Sequence, residues 1–371
     1  MNRRAFTMGS AVAGLRWAAA ERTVVEVDSE PGRDAALDRA LEGVAPELKK
    51  WASVCEVVRD PTGRPTFVWT DYQGTGRATD FWPASTIKVY AVVAALELLT
   101  ERGFPLDTTA TFEHREPNGR WVLDCARSMR EMLSENFRRS SNEDYTLLLR
   151  LVGIDRLNTR FLIPGRGFRQ SALMRGYVAA RPWNYIREQP QRIRLRSADG
   201  VMSETHEHTW SGRSYSEERG GTVLDAKTGN VTTPRDLVEC LRRILYHEEL
   251  PESERYRLTA EQLRFLRGGG DGLTGLETRN EASGPIAWTM AAESIFPTAR
   301  FYHKSGLISN FALEMAAIDA SANGGPAYLL APVIHAGSTT QPVNGEKLIG
   351  QMSLKIAEWA RDRHAARMAA H

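Results

Sequence analysis

Ser85 and Lys88 stand three residues apart in Ser85-Thr86-Ile87-Lys88, at the head of a run, residues 89–99, that is apolar on almost every face. Side chains at i and i+3 project from the same side of a helix, so a hydroxyl and an amine come within reach of one another. A helix that is apolar all round is buried on all sides. A lysine that loses hydration in such a place has its pKa lowered enough to accept the serine proton, which turns a weak nucleophile into a usable one. The chemistry spelled out is acyl transfer from a serine. The tetrapeptide also occurs by chance in many proteins. An acyl-transfer site needs two further parts: a second hydroxyl and an amide near the serine, and a cation with backbone donors along a strand.

Both parts are present and each appears twice. Ser134-Glu135-Asn136 and Ser140-Ser141-Asn142 both read S-x-N, while Lys227-Thr228-Gly229 and Lys304-Ser305-Gly306 both supply the cation. Lys304 ends a strand-like run, residues 299–303, and precedes another, so it can face a cleft. Lys227 lies in a loop ahead of Thr233-Pro234 and reads as solvated.

The elements that must position these groups follow from period and punctuation. Residues 33–51 carry Ala36, Leu37, Ala40, Leu41, Val44 and Leu48 at helical spacing. Two β-rich runs, 54–58 and 65–70, flank the turn Asp60-Pro61-Thr62-Gly63. Thr233 and Pro234 open a helix through Tyr246, with Thr at the N-cap and Pro at the first position. A further helix, 259–266, stops at Gly268-Gly269-Gly270. Strand-like runs at 299–303, 311–318 and 327–334 precede a closing helix from Gly345 to about Met368. Strands therefore fall at the two chain ends. The predicted fold class is α+β: an antiparallel sheet built from both ends with flanking helices, plus an inserted all-helical lobe. The α/β lobe takes 21–80 and 290–371, and the helical lobe takes 81–289 with an enlarged, irregular loop at 157–232.

Composition bounds the function. Hydrophobic residues make up 42% and charged residues 25% of 371, as in an ordinary globular protein. The 48 basic and 46 acidic residues leave a net charge of +2, so no global field points to nucleic acid or a membrane surface. Asn2-Arg3-Arg4 ahead of a short, small and apolar segment reads as a twin-arginine export signal over residues 1–20, too short to span a bilayer. The mature chain then starts near Glu21 and works in the periplasm or outside the cell, as a monomer with no stable membrane anchor. Cys55, Cys125 and Cys240 show no C-x-x-C spacing, and an oxidising compartment allows one disulfide among them. His206 and His208 beside Glu204 and Glu207 could bind a metal only with ligands that the sequence does not identify. The reading is therefore no metal and no cofactor.

With S-x-x-K, S-x-N and K-S-G in this order, the chain resembles the serine β-lactamase and penicillin-binding protein superfamily, most closely the class A β-lactamases. Pro83-Ala84-Ser85-Thr86-Ile87-Lys88 is similar to that family's nucleophile segment. The segment from Ser140 through Leu149 to Gly153-Ile154-Asp155-Arg156 is similar to the one around its S-D-N, which favours Ser140 over Ser134. The resemblance implies that Ser85 attacks a carbonyl, Lys88 takes or tunes its proton, and Ser140 relays a proton to the leaving nitrogen. Asn142 would hold a substrate amide, and Lys304, Ser305 and Gly306 would bind its carboxylate end. The N–H of Ser85 and that of Ile308 would form an oxyanion hole. The implied substrate is a β-lactam, hydrolysed at the ring amide. The alternatives are a D,D-peptidase acting on acyl-D-Ala-D-Ala-like peptides and a penicillin-binding sensor that stays acylated. The match departs in two places. Ser141 stands where the family has Asp, and the family's E-x-x-L-N glutamate is missing: residues 157–187 hold no Glu or Asp. Glu217 and Glu218 are the candidates for a deacylating base, a solvated acidic loop being the other reading of both.

Overall fold

The structure, a computed structural model, describes residues 32–223, 225–268, 275–277, 288–308, 310–336 and 344–370. The expected export segment lies outside them. Helix α1 (Ala35–Glu42) is capped by the Asp34 carboxylate, which accepts from the N–H groups of Ala36 and Leu37. It is shorter than the 33–51 periodicity predicts, because Pro46 disfavours helical geometry in the residue before it and Ala45 sits at φ 40°. Strands β1 (Lys50–Arg59) and β2 (Pro65–Asp71) follow. Next come the buried helix α2 (Lys88–Arg102), strands β3 (Thr109–Arg115) and β4 (Trp121–Ser128), and helices α3 (Met129–Arg138) and α4 (Asn142–Val152). Strands β5 (Gln191–Arg196) and β6 (Ser203–His208) precede helices at Pro234–Leu245 and Ala260–Arg267. The chain closes with β7 (Arg300–Ile308), β8 (Phe311–Asp319), β9 (Ala327–His335) and the helix Gly345–Ala369.

The sheet expected from both chain ends is there, five antiparallel strands in the order β2-β1-β9-β8-β7. Its two faces are sorted by the two-residue period of a strand. Val54, Ala312, Ile318 and Leu330 pack with Leu37 and Leu41 of α1 and with Ile349, Met352 and Ile356 of the closing helix. Their neighbours Cys55, Leu313, Met315 and Leu329 pack instead with α2 and with Leu237 and Leu241. Burial on both faces is why these strands read as continuous apolar runs.

The inserted lobe is not all helical, which corrects the sequence reading. It holds a second antiparallel sheet in the order β4-β3-β5-β6, and half of that sheet lies inside the 157–232 loop. These strands escape notice for a physical reason. Gln191–Arg196 buries Ile193 and Leu195 between arginines, and Ser203–His208 contains no apolar residue at all. Ion pairs of Glu113 with Arg192 (2.7 Å) and Arg194 (2.8 Å) take part of the role that apolar pairs play elsewhere. Cys55, Cys125 and Cys240 are all free thiols. Among the described residues no helix is long and apolar enough to cross a membrane.

Candidate active site

Ser85 does not head the α-helix itself. It sits in a 3-10 turn, Ala84–Ile87, that runs straight into α2 at Lys88. A 3-10 turn also eclipses residues three apart, while the hydrogen bonds of the Lys88 ammonium go to Ser140 and Asn142. Thr86 closes the turn by donating from its hydroxyl to the Pro83 carbonyl at 2.6 Å. Ala84 is left-handed at φ 46°, a region that non-glycine residues seldom occupy.

Lys88 is fully buried, and its ammonium donates to the Ser140 carbonyl, to Asn142 Oδ1 at 2.7 Å and to Ser140 Oγ at 3.2 Å. Lys304 reaches the same Ser140 Oγ from the other side at 2.9 Å and also donates to the Ser305 carbonyl at 3.0 Å. Burial, with Lys304 nearby, drives the Lys88 pKa well below that of a free lysine against the weaker pull of Glu143 and Asp144. Burial likewise brings Lys304 down to about 8, although Glu314 pulls the other way. A hydroxyl oxygen has two lone pairs and one proton. With both lone pairs of Ser140 taken by lysines, its proton is left to donate outward.

Ser140 is held at φ 52° just before α4. Ser141 has a structural task that accounts for its place in the motif: its hydroxyl caps α4 by accepting from the Asp144 N–H at 3.0 Å. The far end of α4 is anchored by the second sheet. The fully buried Arg150 binds Asp124 at 2.6 Å, Gln191 at 2.9 Å and the Pro182 carbonyl at 3.1 Å. His208 and His206 take the C-terminal carbonyls of Arg150 and Leu151. That use absorbs the histidine pair, and burial pushes His206 down to about 4. The rival motifs are elsewhere. Ser134 and Asn136 bond to carbonyls within α3, and Lys227-Thr228 folds over the Asp225 carboxylate in a surface turn.

Lys304-Ser305-Gly306 lies inside β7, the edge strand, rather than after it. A Cβ on Gly306 would come within 3.1 Å of both Ala84 Cβ and the Ser85 nitrogen, so glycine there lets the strand pass close under the Ser85 turn. The strand register corrects one expectation. The N–H of His303 bonds outside the sheet to Leu276, and the carbonyl of Ser305 accepts from Lys304. Odd-numbered residues therefore turn their main-chain groups to the open edge. The donor facing the site is the N–H of Leu307, and that of Ile308 turns toward β8.

The acid-free half of the long loop is the half that reaches this cluster. Asn158 donates to the Leu173 carbonyl at 2.9 Å and accepts from its N–H at 3.2 Å. Asn230 accepts from the N–H groups of Met174 (2.8 Å) and Arg175 (3.1 Å) and donates to the Arg175 carbonyl (3.0 Å). These clamps deliver Tyr177, whose hydroxyl donates to the Ala84 carbonyl at 2.7 Å and whose ring centroid lies 5.9 Å from Lys88 Nζ. Sequence reasoning missed Tyr177; no local signal separates it from the other aromatics of the loop. Glu217 and Glu218 are not brought to the site. Both are exposed on a short turn, Glu218 binds Arg213 at 2.6 Å, and neither is among the groups that act on Lys88.

Residues 70–360 match the family model described as "Beta-lactamase enzyme family". No curated protein matches the sequence. Among solved structures, PBP-A is similar at 17% identity with a TM-score of 0.52, over 89% of this chain and 97% of that one. A class A β-lactamase of the last common ancestor of Gram-negative bacteria is similar at 16% and 0.51, over 88% and 99%. A β-lactamase from Burkholderia ambifaria is similar at 15% and 0.50, over 87% and 97%. At such identities the likeness is one of fold.

Proposed function

The chain belongs to the beta-lactamase enzyme family, and on that premise we propose that it is a serine hydrolase that opens β-lactams through an acyl-enzyme on Ser85. The observation that carries the reading is the convergence of Lys88 and Lys304 on the one hydroxyl of Ser140, at 3.2 and 2.9 Å, beside the Ser85 turn. Lys88, as the neutral amine with one of its three hydrogen bonds released, takes the proton as Ser85 Oγ attacks the ring carbonyl. The N–H groups of Ser85 and Leu307 receive the oxyanion that forms. As the C–N bond breaks, Ser140 passes its proton to the leaving nitrogen and is resupplied from the lysines. Lys304 and Ser305 bind the substrate carboxylate, and Asn142, whose Oδ1 is held by Lys88, offers its N–H₂ to the substrate amide. Water then attacks the ester and releases Ser85.

A second reading, a D,D-peptidase or a long-lived penicillin-binding adduct, is favoured by the loop. The segment packed against Lys88 brings a tyrosine and no carboxylate, so Lys88 itself would have to activate the water. The paired arginines at Arg3-Arg4 and the family's chemistry together support export to the periplasm or medium.

Intact-mass measurement after mixing with benzylpenicillin tests the proposal. An adduct on the wild type that disappears with time, and no adduct on Ser85→Ala, supports hydrolysis. A persistent adduct supports the second reading, and a wild type that never acylates sinks both.

A further inference from the structure

We propose that Tyr177 is a positioning residue for acylation, its hydroxyl gripping the Ala84 carbonyl and so aiming the peptide unit whose other edge is the Ser85 N–H. The inference deepens the acyl-transfer reading and rests on it. The C=O of Ala84 and the N–H of Ser85 belong to one planar peptide and point in opposite directions. A bond that fixes the oxygen therefore fixes the direction of the N–H that receives the oxyanion. The Tyr177 hydroxyl makes that bond at 2.7 Å. From the other strand, Gly306 approaches so closely that a Cβ there would sit 3.1 Å from the Ser85 nitrogen. The peptide is held at both edges, which a turn with φ 46° at Ala84 requires if it is not to relax. A donor bonded to the carbonyl also polarises the peptide and strengthens its N–H as a donor.

Tyr177 is itself over-determined, as a positioning group must be. Its N–H donates to Thr146 Oγ1 at 3.0 Å, its ring packs on Tyr145 at 4.9 Å between centroids, and the Asn158 and Asn230 clamps fix the segment just before it. Burial pushes the phenol up to about 12, so it stays a neutral donor over the pH range in which the enzyme works.

The experiment measures acylation of the full chain by benzylpenicillin, separating the dissociation constant of the first complex from the acylation rate constant. Tyr177→Phe keeps the ring and its packing and removes the hydroxyl. It is expected to slow acylation by ~10–100-fold, somewhat less than loss of an oxyanion donor itself, while the dissociation constant stays within about 2-fold. The acid limb of the rate–pH profile, set by Lys88, should keep its midpoint. Tyr177→Leu, which also uncovers Lys88, should move that midpoint upward. An acylation rate in Tyr177→Phe equal to wild type, read below its unfolding temperature, overturns the inference. So does an equal loss in binding and rate, the mark of a merely structural role. Absence of any adduct on the wild type would overturn the acyl-transfer reading and this inference with it.

Discussion

Residues 168–177 and 203–218 belong to one long insertion, yet the first stretch is threaded through the interior and the second carries its charges in solvent. Ser171, Ala172, Leu173 and Met174 are fully buried, with the Ser171 hydroxyl on Asp236 at 2.6 Å and both faces of the backbone taken by buried amides. The inner stretch has no acid to offer and touches the Ser85 turn through Tyr177; the outer one has acids, and Glu217 and Glu218 face water. What reaches the Ser85 turn is decided by which segment can satisfy its backbone in the interior, here through the amides of Asn158 and Asn230 and the buried Asp236 carboxylate, which accepts from the N–H groups of Arg169 and Gln170.

The sharpest way to break this contrast is at the floor on which the inner stretch rests. Lys88→Met should slow acylation by ~10²–10⁴-fold, the range for loss of a positioned proton acceptor; burst kinetics with a penicillin would read it, and near-normal acylation would remove Lys88 from the mechanism. Next in size, Asn230→Ala should cost about 2–4 kcal/mol in denaturant unfolding, because it strands buried main-chain groups of Met174 and Arg175. A change below 1 kcal/mol would mean that the inner stretch is held by something else.

The pH profile sharpens the picture of the two lysines. Burial lowers the Lys304 pKa to about 8, so its proposed attraction for a substrate carboxylate should be present on the acid side and fade as pH rises through that value. In the proposed acylation Lys88 acts as a neutral amine, and its lowered pKa lets it do so nearer neutrality than a free lysine. The profile of kcat/KM should therefore be bell-shaped with an alkaline limb near 8, and Lys304→Met should abolish that limb. The smallest effect is expected from the outer stretch: Glu217→Gln and Glu218→Gln should change adduct lifetime less than about 2-fold, as exposed substitutions do. A marked lengthening by either would restore it as the deacylating base.

The three motifs were legible because each is a short string whose chemistry is local: Ser85 and Lys88 share a face at any helical pitch, and Lys304-Ser305-Gly306 lies on a strand. The five-stranded sheet was legible for a related reason, since burial on both faces leaves an apolar run that no turn or surface helix shows. The second sheet, the register that turns Leu307 rather than Ile308 to the site, and the arrival of Tyr177 at the Ala84 carbonyl were not legible. Each depends on contacts between residues far apart in the chain: Arg150 with Asp124 and Gln191, His303 with Leu276, and Asn230 with Met174 and Arg175. Periodicity records only which face of an element is buried. By itself the sequence picked out the Ser85-Thr86-Ile87-Lys88 turn, the Ser140-Ser141-Asn142 segment and the Lys304-Ser305-Gly306 strand. Only the tertiary structure decided which loop residue stands over them, because that choice was made by packing and hydrogen-bond satisfaction across some ninety intervening residues, from Ala84 to Tyr177.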